Sequence, residues 1–171
     1  MEIRLFGTVN DSIVDGPGLR YTIFTQGCLH HCPGCHNPQS HPLDGGYLED
    51  CDKILAEIFN NPLLDGITLS GGEPMLQIEP LKYICQEVKK HNLNIVIYSG
   101  YTYEQIISDQ NKLSLLKLGD MLVDGLYVEE KRSLALLYRG SSNQRLINIQ
   151  ESLKQGKVIE YIIDEYGEIE I

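Results

Sequence analysis

Three cysteines fall within eight residues of the sequence. They are Cys28, Cys32 and Cys35, in the stretch FTQGCLHHCPGCHNPQSH (24–41). Gaps of three and two residues are too short for a disulfide framework, and five cysteines in all is an odd number. Thiols clustered in this way point to a metal site in a reducing compartment. Gly27, Pro33, Gly34 and Pro38 interrupt the stretch, which has neither helical nor strand periodicity, so core packing does not account for it. Two metal chemistries fit. A structural zinc ion needs four ligands, and His30, His31, His36 or His41 would have to complete a Cys3His set. Alternatively, the three thiolates hold three irons of a cubane [4Fe-4S] cluster and leave the fourth iron open. An open iron can bind the amino and carboxylate groups of S-adenosylmethionine and pass one electron into its sulfonium. The product is a 5′-deoxyadenosyl radical, a reagent that no side chain supplies.

The rest of the chain must position such a loop. A short apolar run, YTIF (21–24), leads into it. DCDKILAEIF (50–59) and EPLKYICQEVKK (79–90) have helical spacing, with Cys51 and Cys85 on their apolar faces. There a free cysteine behaves as a small hydrophobe, so these two are core residues. GITLS (66–70), NIVIYS (94–99) and MLVDG (121–125) read as buried strands. A helix is expected across 103–117 and a last strand at KVIEYII (157–163). Strands alternating with helices predict an α/β fold with a parallel sheet. In such sheets functional loops gather at the carboxyl ends of the strands. The cysteine loop, SGGEP (70–74), SGY (99–101) and DG (124–125) should therefore share one rim.

With 171 residues, 42% of them hydrophobic, one compact domain has a substantial core. Fourteen basic and twenty-four acidic residues give a net charge of −10, which argues against nucleic acid or anionic lipid as the main partner. Neither a signal-peptide pattern nor an apolar run of about 18 residues is present, so a cytoplasmic location is expected.

The cysteine loop, followed by LSGGEP (69–74), resembles the radical S-adenosylmethionine superfamily in motif, order and spacing. Gly71 and Gly72 lack a Cβ, so backbone dipoles can approach the zwitterionic end of a ligand. A full eight-unit barrel takes about 250 residues. The 151 residues from Tyr21 onward suit a partial, open (β/α) barrel of about five or six units.

Within the superfamily the chain is similar to the glycyl-radical activases of anaerobic ribonucleoside-triphosphate reductase. VDGPGLRYTIFTQGC (14–28), CLHHCPGCHN (28–37), YSGYTYEQI (98–106) and LVDGLYVEEKRSLALLYRGSSNQR (122–145) carry the likeness. It implies that Cys28, Cys32 and Cys35 bind a [4Fe-4S] cluster, and that the backbone at Gly71, Gly72 and Glu73 holds the methionine amino group. Ser99 would contact ribose or the carboxylate, or else serve a structural turn; Gly34 and Asn37 would meet adenine through their backbone; and Asp15 would meet the substrate's glycine loop, or else be a turn aspartate before two glycines. The implied partners are the reductase and a one-electron donor such as flavodoxin. An activase of another glycyl-radical enzyme, such as pyruvate formate-lyase, or a radical peptide modifier is the alternative; a zinc-stabilised interaction module is a remote one. Asp124 and RGSSNQ (139–144) mark the subgroup without a derivable role. Residues 155–171 lie beyond the likeness, as an acidic extension with five acids and no base from Glu160 onward.

Alanine at Cys28, Cys32 or Cys35 is expected to abolish cluster-dependent cleavage of S-adenosylmethionine. Cys51→Ala and Cys85→Ala should retain it, losing about 1–2 kcal/mol of folding stability.

Overall fold

A computed structural model describes residues 1–171. The architecture is mixed α/β, a seven-stranded sheet with five helices. In chain order the strands are β1 (Glu2–Ser12), β2 (Arg20–Thr25), β3 (Tyr47–Asp50), β4 (Gly66–Gly71), β5 (Asn94–Ser99), β6 (Met121–Asp124) and β7 (Arg145–Asn148). The helices are α1 (Cys51–Phe59), α2 (Ile78–Lys89), α3 (Tyr103–Ile107), α4 (Gln110–Leu116) and α5 (Ile149–Gln155). No helix is long and apolar enough to cross a membrane.

The sheet order is β3-β1-β2-β4-β5-β6-β7. Its centre, β2, β4, β5 and β6, is parallel, as the alternating pattern predicts, whereas β1, β3 and β7 are antiparallel additions. The repeating parallel part is thus shorter than five or six units, because both ends of the chain are spent on antiparallel edges. Apolar β4 and β5 are buried on both faces. Ile67, Leu69, Ile95 and Ile97 meet the helices, in the larger core with Ile54, Leu81, Ile84 and Cys85. On the other face Val96, Met121, Val123 and Leu146 form a second, smaller cluster.

One helix was expected across 103–117, and the structure has two. Asp109 accepts hydrogen bonds from the backbone N–H groups of Asn111 (2.9 Å) and Lys112 (3.1 Å), which caps a new helix and ends the old one. Thr102 and Gln105 form a capping box that starts α3.

The strand expected at 157–163 is absent. After Gly156 the segment makes a single bridge to β7, Ile147 to Glu160, and the Ser152 hydroxyl captures the Ile159 N–H at 2.8 Å. The acidic extension is nevertheless part of the fold. Tyr161 donates from its backbone N–H to the Leu146 carbonyl (2.8 Å) and from its hydroxyl to the Asp120 carbonyl (3.0 Å). Ile169, 7% exposed, seals the smaller cluster.

Arg20 is buried at the start of β2. Its guanidinium donates to Thr68 Oγ1 (2.7 Å) and to the carbonyls of Pro17 (2.7 Å) and Ile67 (2.6 Å). Burial lowers its pKa to about 10, so it stays charged at neutral pH. Thr68 in turn donates to the Asp15 carbonyl at 2.7 Å, so the DGPG turn is fastened across the sheet.

Ile169→Ala is expected to cost about 2 kcal/mol in urea unfolding. Ile162→Ala, at a side chain 88% exposed, should change stability by less than about 0.5 kcal/mol.

Candidate functional site

The four parallel strands deliver their loops to one end of the sheet. The loop after β2 is rooted by backbone hydrogen bonds: Gly27 N–H to the Ser40 carbonyl (2.7 Å) and Cys28 N–H to the His41 carbonyl (3.0 Å). The Gln26 amide also donates to the carbonyls of Gln39 (3.0 Å) and Pro42 (2.8 Å), closing the loop at its base. The turn after β4 docks on this root, with Gly72 N–H donating to Thr25 O and Glu73 N–H to Gly27 O, both at 2.8 Å.

Between these loops lies a cavity of about 840 Å³, within the range of small-molecule sites. Cys28, Cys32 and Cys35 line it together with Asp15, Asn37, Gly71, Gly72 and Ser99. Gly34, in the same loop, has its backbone beside Glu129 and is not part of the wall. Nor is Glu73, whose side chain is 1% exposed and lies behind it.

The buried carboxylate of Glu73 collects donors from three loops. His30 Nε2 donates to Oε1 at 2.7 Å, and so does the Gly100 N–H, also at 2.7 Å. The Ser99 hydroxyl lies 3.0 Å from both oxygens, and Met75 N–H donates to Oε2 at 2.9 Å. Ser99 also accepts from Tyr101 N–H at 3.1 Å. Its hydroxyl proton is thus engaged by Glu73, so the geometry favours bracing over ligand contact for Ser99.

The missing Cβ atoms of the two glycines leave room for the chain itself. A Cβ on Gly72 would collide with the Gly27 carbonyl and lie 2.9 Å from Ser40 O, and one on Gly71 would strike the backbone of Thr25. Close approach here is between the protein's own loops. The N–H groups of Gly72 and Glu73 are engaged in the same docking.

Asp15 accepts from the hydroxyls of Ser12 (2.5 Å) and Thr22 (3.0 Å) through Oδ2. The markers Asp124 and RGSSNQ turn out to shape one wall of the cavity. Asp124 caps α3 at Tyr103 N–H (2.8 Å) and pairs with Arg145, which also forks onto Glu104 at 3.1 and 2.7 Å. That guanidinium holds the Glu104 carboxyl below the usual range. Gln144 and Asn143 donate to the carbonyls of Gly125 (3.0 Å) and Leu126 (2.7 Å), closing the 125–144 loop on itself. The sequence alone did not single out His30 as a brace or Arg139 as a wall residue. A histidine between two candidate ligands is read first as a ligand, and Arg139 reaches the cavity only through this fold.

All five cysteines are free thiols. No three Cys, His, Asp or Glu side chains gather about one point as ligands of a single ion. Zinc would draw sulfurs about 2.3 Å from itself, hence within about 3.8 Å of one another. A cubane spreads its thiolates over separate irons, and three cysteines opening into one cavity suit that donor set. The histidines are otherwise engaged. His30 is on Glu73, His41 Nε2 is 3.3 Å from Cys35 Sγ, His31 stacks edge-on against His41 and His36 leans on Tyr127. Burial pushes the Cys28 and Cys32 thiols up, so an incoming metal has to displace their protons.

A family model described as "4Fe-4S single cluster domain" matches residues 14–147. The anaerobic ribonucleoside-triphosphate reductase-activating protein of Vibrio cholerae is 36% identical over 140 residues, covering 77% of this chain and 89% of that one. The chain belongs to this family. The protein of the same name from Enterobacteria phage T4 is 34% identical over 139 residues, covering 78% and 86%. That of Escherichia coli strain K12 is 32% identical over 142 residues, covering 77% and 90%. Among solved structures, QueE from Escherichia coli aligns with a TM-score of 0.49 at 15% identity, over 60% of this chain and 54% of that one. The matched span contains the three cysteines, the Gly71–Glu73 turn and Asp124, and it ends at β7.

Gly72→Ala is expected to dislodge the root of the cysteine loop. Iron bound per chain after anaerobic reconstitution should fall well below that of the unaltered protein, alongside a lower melting temperature.

Proposed function

We propose that this protein is a radical S-adenosylmethionine activase that generates a glycyl radical on anaerobic ribonucleoside-triphosphate reductase. The observation that carries the reading is the single cavity into which three free cysteines of one loop and the Gly71–Gly72 turn both open. Family membership supports the choice of partner.

In this reading Cys28, Cys32 and Cys35 hold a [4Fe-4S] cluster, and S-adenosylmethionine occupies the neighbouring part of the cavity. Held by those three cysteines, the cluster would supply the electron for reductive cleavage of S-adenosylmethionine, the chemistry from which hydrogen abstraction at a glycine Cα would follow. The chain's own groups bind and orient. A methionine amino group is a donor, and the nearby N–H groups of Gly72 and Glu73 are engaged, so the carbonyls of the Gly71–Glu73 turn receive it. Ser99 and the Glu73 carboxylate act from behind by fixing that turn. The backbone of Asn37, which lines the cavity, meets the adenine, whereas Gly34 stands outside the wall.

Ile13 and Val14 (each 72% exposed) and Leu134 (91% exposed) line the cavity together with Asp15. That apolar rim suits a peptide segment, and Asp15 with one oxygen fixed can meet its backbone N–H groups. We take the sheet as an incomplete barrel and all 171 residues as one domain working in the cytoplasm. A flavodoxin-type protein is the proposed one-electron donor.

The test is anaerobic. The reconstituted protein, a reductant, S-adenosylmethionine and the organism's own reductase are mixed and the electron paramagnetic resonance spectrum recorded. A carbon-centred signal should appear, and its main hydrogen splitting should vanish when glycine is deuterated at Cα. A radical on pyruvate formate-lyase or a small peptide, with none on the reductase, would overturn the choice of partner.

A further inference from the structure

We propose that His30 is a positioning residue: through Glu73 it locks the cysteine loop to the turn that receives S-adenosylmethionine. The inference rests on the function proposed above and concerns how the two halves of the site are kept in register. A cofactor bridging a cluster and a protein turn is sensitive to the distance between them. Here those two parts lie on separate loops, after β2 and after β4, and a third loop follows β5.

Backbone hydrogen bonds dock the root of the cysteine loop on the turn, but only at Thr25 and Gly27, before the first cysteine. Past Cys28, His30 is the side chain by which the loop reaches Glu73. Because a carboxylate only accepts, Nε2 carries the proton in that bond. The carboxylate is fixed on its other sides by Ser99, Gly100 and Met75, so it offers His30 a stationary anchor.

The ring is also held in place. Tyr101 packs edge-on against it at 4.7 Å between centroids, and Lys112 lies 4.7 Å over the Tyr101 ring. Gly100 completes the seat, since a Cβ there would stand 2.6 Å from His30 Cδ2. The imidazole thus occupies space that only a glycine at position 100 leaves open. This arrangement has no need of His30 as a metal ligand and explains why a histidine stands between two cysteines without joining them.

The experiment uses the full chain, reconstituted anaerobically, with His30→Leu, His30→Gln and Gly100→Ala variants. Iron and sulfide per chain, S-adenosylmethionine affinity by equilibrium dialysis, and the change in the reduced cluster's paramagnetic resonance signal on adding S-adenosylmethionine are measured. His30→Leu should keep its iron and bind S-adenosylmethionine about tenfold or more weakly, with a diminished spectral change, because a hydrogen bond to a buried carboxylate is lost. His30→Gln, which can still donate to Glu73, should recover most of the affinity. Gly100→Ala, which displaces the ring without removing it, should weaken binding like His30→Leu. Native affinity in a fully loaded His30→Leu protein overturns the proposal, as does a glutamine variant no better than leucine. If His30→Leu loses iron, Gly100→Ala decides: full iron with native affinity overturns the proposal. If the unaltered protein itself binds no S-adenosylmethionine, the functional reading fails instead.

Discussion

A single buried carboxylate holds the functional end of this protein together. Glu73 is out of contact with solvent, and a charge in that position is tolerated only when donors surround it. The donors come from the loop after β2, from its own turn and from the loop after β5. Each loop alone is a surface connection free to move on the rim of a sheet. Drawn onto one carboxylate, they become a rigid floor against which thiols and a cofactor can be placed. The cost of burying Glu73 is thereby turned into geometric definition, since leaving any donor out exposes the charge to an unfavourable environment.

The opposite wall is built on the same principle with different chemistry. Asp124, at the end of β6, caps α3 and pairs with Arg145 at the start of β7, and Arg145 reaches on to Glu104 in α3. The amides of Asn143 and Gln144 then fold the 125–144 loop back on the strand exit. A motif that looks like a polar surface loop is therefore a set of internal hydrogen bonds. Its polarity is directed at backbone carbonyls that would otherwise be unpaired.

Much of this was legible in the sequence. β-branched runs gave β4 to within one residue and β5 with its boundaries, and helical spacing gave α1 and α2, with Cys51 and Cys85 in the core. The gathering of the cysteine loop and the Gly71–Gly72 turn at one cavity followed from the parallel order of the strands. What escaped depended on contacts between distant residues. Asp109 reads as an ordinary helix-surface residue until its side chain is seen capping α4. The alternation in 157–163 suits a strand, but Ser152 takes the Ile159 N–H and little of a ladder forms. At Gly71 and Gly72 the missing Cβ atoms leave room for another part of the chain, a contact between distant residues that the sequence does not display.

That last contact bears on how the protein can change. The carbonyl of Gly27 and the Cα of Gly72 fit against each other with no room between them, so the cysteine loop and the turn after β4 share one boundary. Neither can be lengthened, tilted or exchanged for a counterpart from another scaffold while its neighbour stays as it is. A graft into a new host would have to carry residues 25–41 and 70–74 as one piece, together with the strand pairing of β2 and β4 that sets their register. Ile13, Val14 and Leu134 on the rim of the cavity, with most of their surface open to solvent, are far less tightly bounded.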